Sequence, residues 1–403
     1  MQSWWTEWTI AVAFLREGRM QTMMITIGIS VGVAVIIFVT ALIQGLQANV
    51  IQRTLGTQAH IRLLMPDETN IKAPLNSGAI ALIQEDKRAQ RLRSISNWQQ
   101  LLQVLDGRQE LTAVSPLVSG PALAKRGEAV ESVALVGIVP KRYAQIIALK
   151  DYVIDGQLRF GADDVLIGQL LAEDLGVRVG SKIRLETGQD EGRVVNIAGI
   201  FKLGVRELDG RYIYMELKQA QPLLNLIGGV TVIDLKVADI FSAETVAQQI
   251  GRMTGLKAES WIATNAQLMN ALTAQSLSTN MISIFVGISV AFGIASVLSV
   301  TVVQRTREIG ILRATGASQG QILRVFLLQG ALFGLLGSCL GILVSYLLVW
   351  SFNSFGPGLF FIPVSSQLLA VALVSATLVG ILAALIPARR AAMMDPVVAI
   401  RYV

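Results

Sequence analysis

The chain has 403 residues, of which 53% are hydrophobic and only 15% charged, with a formal net charge of +6. Soluble domains average about 25% charged residues, so a wholly water-soluble protein is excluded as the first reading. A basic balance can signal nucleic-acid binding, but here the excess flanks apolar runs, and topology explains it better.

The first residues carry Trp4, Trp5 and Trp8 ahead of an apolar run, with no small-residue cleavage site after a short core. This pattern predicts an interfacial anchor rather than a cleaved leader. No Asp, Glu, Lys or Arg occurs over 20–52, 260–304 or 325–388. A crossing needs about 20 apolar residues, which predicts spans at 23–43, 281–303, 325–350 and 367–386. The break inside the last run is the Gly- and Pro-containing stretch 351–358, followed by Pro363.

Between spans one and two lies a single region able to fold in water. Segments 44–58 and 264–280 are polar and helix-compatible, suiting a stalk made by extensions of the two spans. β-branched stretches at 60–64, 133–138, 194–200 and 231–237 predict strands, and apolar spacing at 96–105, 140–149 and 243–253 predicts helices. Residues 66–94 mix charges with turn formers and read as a loop. Residues 164–185 read strand, helix, Gly turn, strand, with further strands at 193–201 and 211–215; together they suggest an inserted β-rich subdomain at about 155–226.

Orientation follows from the short segments outside this region. They hold Arg16, Arg19, Arg305, Arg307, Arg313, Arg324, Arg389, Arg390 and Arg401 against Glu7, Glu17, Glu308 and Asp395. The positive-inside rule places these segments and both termini in the cytoplasm, and the nearly neutral middle region outside.

Chemistry-bearing motifs are sparse. The chain has no Gly-Lys dipeptide, so it lacks the phosphate-cradling loop. His60 has no Cys or His near it and reads as an ordinary surface or stalk histidine, with no metal expected. The lone Cys339 reads as a small packing residue inside span three. The spans hold no ionisable residue, which argues against an ion-coupled relay. Gly28 and Gly32 in span one, then Gly330 with Gly334 and Gly337 with Gly341 in span three, recur at the four-residue spacing that lets helices approach closely. The connector after span two can present Arg305, Arg307, Glu308, Arg313, Thr315 and Ser318 on one face and Ile309, Ile311, Leu312 and Ala314 on another.

That connector, Arg305-Thr-Arg-Glu-Ile-Gly-Ile-Leu-Arg-Ala-Thr-Gly-Ala-Ser318, resembles the segment after the second span in permeases of the MacB/LolC/FtsX type. The ending Pro387-Ala-Arg-Arg-Ala-Ala-Met-Met-Asp-Pro-Val-Val-Ala-Ile-Arg401 is similar to the same family's C-terminus. The one-span, large-domain, three-span layout matches along the chain. Gly45-Leu, Leu55-Gly and Ala198-Gly-Ile-Phe-Lys resemble the lipoprotein-releasing branch most closely.

The resemblance implies an α-helical membrane protein with four transmembrane helices and an extracytoplasmic α+β domain of the MacB-like periplasmic core type, in a bacterial inner membrane. The expected plan is an interfacial helix and span one (1–47), the external domain (48–278), span two (279–304), a coupling helix (305–324), spans three and four (325–388) and a cytoplasmic tail (389–403). It implies a non-catalytic permease subunit that binds no cofactor itself. ATP and Mg would sit on a partner ABC ATPase, present in two copies and seated on the coupling helix through Arg307, Glu308, Ile309, Gly310, Arg313, Gly316, Ala317 and Ser318. Glu308 would offer its carboxylate and Gly316 would end the helix. A second permease, identical or related, would complete the complex, with membrane lipid around it and no nucleic acid.

Implied cargo is a lipoprotein, lipid-linked or amphipathic molecule, with a periplasmic carrier or adaptor as a further partner. The alternatives are drug or peptide efflux through an adaptor and outer-membrane channel, and signalling to a periplasmic hydrolase. The branch recruits its carrier with a hook between two strands; the short polar 187–193 connection reads instead as a plain hairpin.

Overall fold

A computed structural model describes residues 2–66, 92–188, 192–356, 358–396 and 399, the side chains of 2–4 excepted. The chain divides into two compact units, one made of 1–51 with 270–403 and the other of 52–269.

In chain order, α1 (Gln2–Glu17) and α2 (Arg19–Gly56) come first. The second unit then runs β1 (Ile61–Leu64), α3 (Trp98–Asp106), β2 (Leu111–Arg126), β3 (Ala129–Ile138), α4 (Pro140–Ile146), β4 (Val153–Gly156), β5 (Asp164–Gly168), α5 (Gln169–Asp174), β6 (Lys182–Glu186), β7 (Arg193–Phe201), α6 (Arg206–Arg211), β8 (Tyr212–Glu216), α7 (Leu217–Leu223), β9 (Val232–Val237), α8 (Ala243–Thr254), β10 (Lys257–Ser260) and α9 (Trp261–Thr264). The long helices resume with α10 (Ala266–Gln304), α11 (Thr306–Ala314), α12 (Gln319–Phe355) and α13 (Ser366–Ala392).

Among the described residues, α2, α10, α12 and α13 are the four helices long and apolar enough to cross a membrane, and each contains one of the predicted spans. Their outward side chains, such as Phe285 (70% exposed) and Phe292 (73%), suit a lipid solvent, while each helix satisfies its own backbone. Thr26, Ser338 and Ser345 are buried, and each hydroxyl donates to a carbonyl of its own helix, so none is left unpaired in hydrocarbon.

Glycines decide how closely the helices approach. A Cβ at Gly334 would lie 2.6 Å from the Ala376 carbonyl oxygen of α13, and Gly330 meets Gly380 and Ala384 of the same helix. One turn further along α12 the partner changes: Gly337 packs on Ile29 of α2, and Gly341 on Ser30 and Val33. One helix therefore carries two small-residue contacts aimed at different neighbours. In α2 the expected pair separates. Gly32 packs against Val290 of α10, whereas Gly28 is exposed, and a Cβ added there would meet nothing within 4 Å. Cys339, expected to pack, is exposed on α12, because it lies off the glycine face. Further along, Gln47 Nε2 ties α2 to α10 by donating to Leu272 O (3.2 Å) and Ser276 Oγ (3.1 Å).

The second unit holds a ten-stranded sheet with the path β10-β1-β9-β2-β3-β8-β5-β7-β4. Because β6 pairs with both β2 and β7, strands β2, β3, β8, β5, β7 and β6 close into a hydrogen-bonded ring. Residues 155–226 are thus not a free-standing insert. Their strands complete a ring whose other wall is the β2–β3 hairpin, and β2 of that hairpin also pairs with β9 of the β10-β1-β9 side. At 16 residues β2 is the longest strand described, yet it includes Pro116 and Pro121, which hide it from a reading by strand propensity. Under the sheet, Tyr143, Phe201 and Tyr214 form an aromatic cluster with ring centroids 5.3–5.8 Å apart, among buried Leu117, Val136, Leu166 and Val232.

His60 is buried, not a surface residue. Its Nδ1 accepts a hydrogen bond from the Val237 N–H at 3.2 Å, and burial with nearby Lys236 holds its pKa below the usual value. The loop expected at 66–94 lies largely outside the described residues, as do the tip of the 187–193 connection and most of the last residues of the C-terminal motif.

Candidate functional site

The basic connector forms α11, and its ends are built by local rules. Gly316 takes a left-handed φ of +104°, its N–H reaches Arg313 O (3.2 Å), and the Ala317 N–H reaches Leu312 O (3.0 Å). This is the Schellman arrangement, in which glycine avoids the Cβ clash of a left-handed residue and terminates the helix. Two residues on, Ser318 caps α12. Its Oγ accepts from the Gln321 N–H while the Gln321 side chain accepts from the Ser318 N–H, satisfying two otherwise unpaired donors. A stop and a start separated by one residue fix the direction in which α11 leaves α12.

The inner face of α11 is consumed by its own unit. Ile309 is fully buried and Gly310 is buried beside it. Arg313 Nη1 donates to Ala392 O at 2.7 Å, satisfying a carbonyl at the end of α13. Arg305, just before the helix, is the anchor. Its guanidinium reaches Glu17 (2.6 Å), Glu308 (3.0 Å) and the Phe14 carbonyl (3.3 Å), and sits 4.4 Å from the centre of the Phe14 ring. A second tie, Arg324 to the buried carboxylate of Glu7 with contacts of 2.8–3.1 Å, holds α1 against α12.

The outer face carries Arg307, Glu308, Ile311, Ala314 and Thr315, all exposed and spaced as one helical stripe, with exposed Ser318 beyond the Gly316 stop. Ile311 is 48% exposed, an apolar side chain amid charges. The candidate residues therefore divide. Arg307, Glu308, Gly316 and Ser318 face outward or set the turn, with Ala317 half-buried between them, while Ile309, Gly310 and Arg313 serve internal packing. Ile311 is not among the contacts that the resemblance implies, although its one-turn spacing from Arg307 and Thr315 marks it.

Behind α11, a cavity of about 270 Å³ is lined by Gln21, Thr22, Thr301, Arg305, Glu308 and Gln329 among others. Gln329 is buried within α12, and its Oε1 has no hydrogen-bond partner among the described residues.

Comparison with known proteins fits this architecture. The MacB-like periplasmic core domain matches residues 22–253, more than half of the chain, and the FtsX-like permease C-terminal region matches residues 280–396. The chain belongs to the family of membrane permeases that carry a MacB-like periplasmic core domain. It is 25% identical to the lipoprotein-releasing system transmembrane protein LolC of Neisseria meningitidis over 96% of both chains. It is 26% identical to the lipoprotein-releasing system transmembrane protein LolE of Haemophilus influenzae, over 92% of this chain and 91% of that one. It is also 27% identical to the macrolide export ATP-binding/permease protein MacB of Shewanella oneidensis, matching 97% of this chain but only 60% of that longer protein.

Proposed function

We propose that the chain is the transmembrane subunit of an ABC complex in which a separate ATPase docks on the outer face of α11. The observation that carries this reading is the exposed stripe of Arg307, Glu308 and Ile311 on a helix whose inner face is already locked to its own bundle. A partner pushing there moves the bundle rather than the connector alone. Two ATPase copies, each holding ATP and Mg, and a second permease complete the assembly. Both termini and α11 lie in the cytoplasm, and the sheet domain lies in the periplasm of a bacterial inner membrane. ATP-driven closure of the ATPases is transmitted through α2 and α10 to that domain, which handles a lipoprotein or another lipid-linked or amphipathic cargo. Lipoprotein handling is favoured by the near full-length match to lipoprotein-releasing proteins.

The test is affinity purification of the chain from its native membrane in mild detergent, with mass spectrometry of what co-elutes. A Walker-motif ATPase recovered with the wild type, and reduced ~10-fold or more by Ile311→Asp or Arg307→Glu, supports the reading; loss of this order is expected when a central apolar contact becomes a buried charge. No ATPase with the wild type, or equal recovery with both variants, overturns it. Glu308 is the less clean probe, since reversing its charge also breaks its contact with Arg305.

A further inference from the structure

Where α1 turns into α2, the helical unit carries an open groove that ATPase docking does not use. It has a volume of about 530 Å³ and is walled by Val12 and Leu15 of α1, Met23 and Ile27 of α2, and Leu336 and Leu340 of α12 among others. Gly337 of α12 meets Ile29 of α2 and Gly341 meets Val33, so these two helices run side by side in the same direction. The groove follows them, with Arg16 and Arg19 at the end where the chain turns.

Two positive charges at that end are uncommitted. Arg16 stands in the last turn of α1 and Arg19 opens α2; both are exposed. Among the described residues neither makes an ion pair or a side-chain hydrogen bond. The charge-free run of the first span begins at the next residue, Met20, which sets the pair at the edge of the hydrocarbon. Guanidinium groups match phosphate oxygens with parallel N–H donors and stay charged at any ordinary pH.

The rest of the wall suits hydrocarbon. Met23, Ile27, Leu336 and Leu340 are exposed and apolar. Thr22 and Thr26, on the same wall, donate their hydroxyl protons to the Leu15 and Thr22 carbonyls, so neither needs an acceptor in the groove. Leu332, Leu336 and Leu340 stand one turn apart, a run of about 12 Å at the helical rise, close to half of a ~30 Å hydrocarbon core. The groove is thus about one leaflet deep, charged at its mouth and apolar below.

Charge decides the occupant. Among the acidic residues outside 52–269, Glu7 holds Arg324, Glu17 and Glu308 hold Arg305, and Asp395 is also partnered. A second copy of the chain would therefore bring no uncommitted carboxylate to Arg16 and Arg19. A zwitterionic lipid would bring its own cation towards them. We propose that the groove is a specific site for an anionic phospholipid, its phosphate on Arg16 and Arg19 and one acyl chain along Met23, Ile27, Leu336 and Leu340. A lipid held there touches α1, α2 and α12 together and fastens the interfacial helix to the first span. The inference rests on α2 and α12 crossing the membrane and does not need the ATPase reading.

Native mass spectrometry of the full chain in a neutral detergent tests it, with palmitoyl-oleoyl phosphatidylglycerol and phosphatidylcholine titrated in turn and glycerol phosphate as a probe without acyl chains. Phosphatidylglycerol is expected to bind about ten-fold more tightly than phosphatidylcholine, since each arginine beside an anionic headgroup contributes a few-fold. Arg16→Gln combined with Arg19→Gln should remove most of that preference, whereas Arg390→Gln, exposed on α13 and outside the groove, should leave it unchanged. Leu336→Trp keeps both arginines but fills the groove, and should weaken binding of phosphatidylglycerol roughly five-fold. Equal affinity for the two lipids in the wild type overturns the proposal, as does a preference that survives loss of both arginines or falls as far in Arg390→Gln. Binding of glycerol phosphate as tight as that of the lipid, or lipid binding unchanged by Leu336→Trp, would leave no role for the apolar wall and overturns it too.

Discussion

The helical unit and the sheet unit hold themselves together in opposite ways. Where α12 meets α13 and α2, the contacts are made by side chains that are missing: Gly330, Gly334, Gly337 and Gly341 let backbone and small groups touch. The sheet unit instead fills its interior with large groups, Trp261, Tyr214 and Phe201 among the most buried. It also buries the Asp234 carboxylate beside the exposed Arg62, as the helical unit does with Glu7 beside Arg324. The difference follows from the solvent outside. In water, burying large apolar surface is favourable in itself, whereas in lipid it gains little, and close contact must supply the attraction.

The sharpest way to break this comparison is Gly334→Leu. The added side chain would meet the Ala376 carbonyl and the Thr377 Cα, and about 3 kcal/mol or more of destabilisation is expected from overpacking a contact this close. Unfolding of the purified protein in detergent would show it. Gly28→Leu is the control and should change unfolding little, since nothing lies within 4 Å of that position.

Next in size is the pH response of the sheet unit. Burial raises the pKa of Asp234 to about 6, against an unfolded value near 3.8. The folded state therefore prefers the protonated form. The contribution is fully present below the unfolded value and is lost as pH rises through about 6, a swing on the order of 3 kcal/mol. Chemical denaturation at a series of pH values should show this slope in the wild type and a flatter profile in Asp234→Asn. An unchanged slope in the variant would assign the response to other groups.

Smaller effects are expected where single polar contacts close the helices. Arg313→Ala should cost about 1–2 kcal/mol by leaving the Ala392 carbonyl without its charged donor. Ser318→Ala should cost about 1 kcal/mol through loss of the cap on α12. Both would appear as lower unfolding midpoints. A larger loss for Ser318→Ala than for Gly334→Leu would mean that the turn, not the glycine seam, sets the stability of the bundle.

The four long helices and most of the strands were legible in the sequence because hydropathy runs and β-branched stretches are local signals. The closed ring was not, since β6 pairing with β2 joins residues far apart in the chain, and Pro116 and Pro121 disguise β2 itself. The connector was legible in part. Its spacing predicts two faces, but only the structure shows Arg313 spent on Ala392 and Ile311 left exposed. Likewise, four-residue spacing marks Gly28 and Gly334 equally, and a neighbour is needed to tell them apart. The cross-strand row of Glu259, Arg62, Asp234 and Ser115 has no signature in sequence order, because each member comes from a different strand.

The sharing of β2 between the ring and the β10-β1-β9 strands sets a limit on domain exchange among related permeases. Transplanting 155–226 alone would cut through β4 and carry β5 to β8, but leave behind the hairpin that closes their ring. A viable chimaera has to cut outside that hairpin, taking 111–216 as one piece, and must then match the β2–β9 register over Ala113–Leu117 in its host. Exchange of residues in this part of the fold therefore has to respect two sets of strand partners along one long strand.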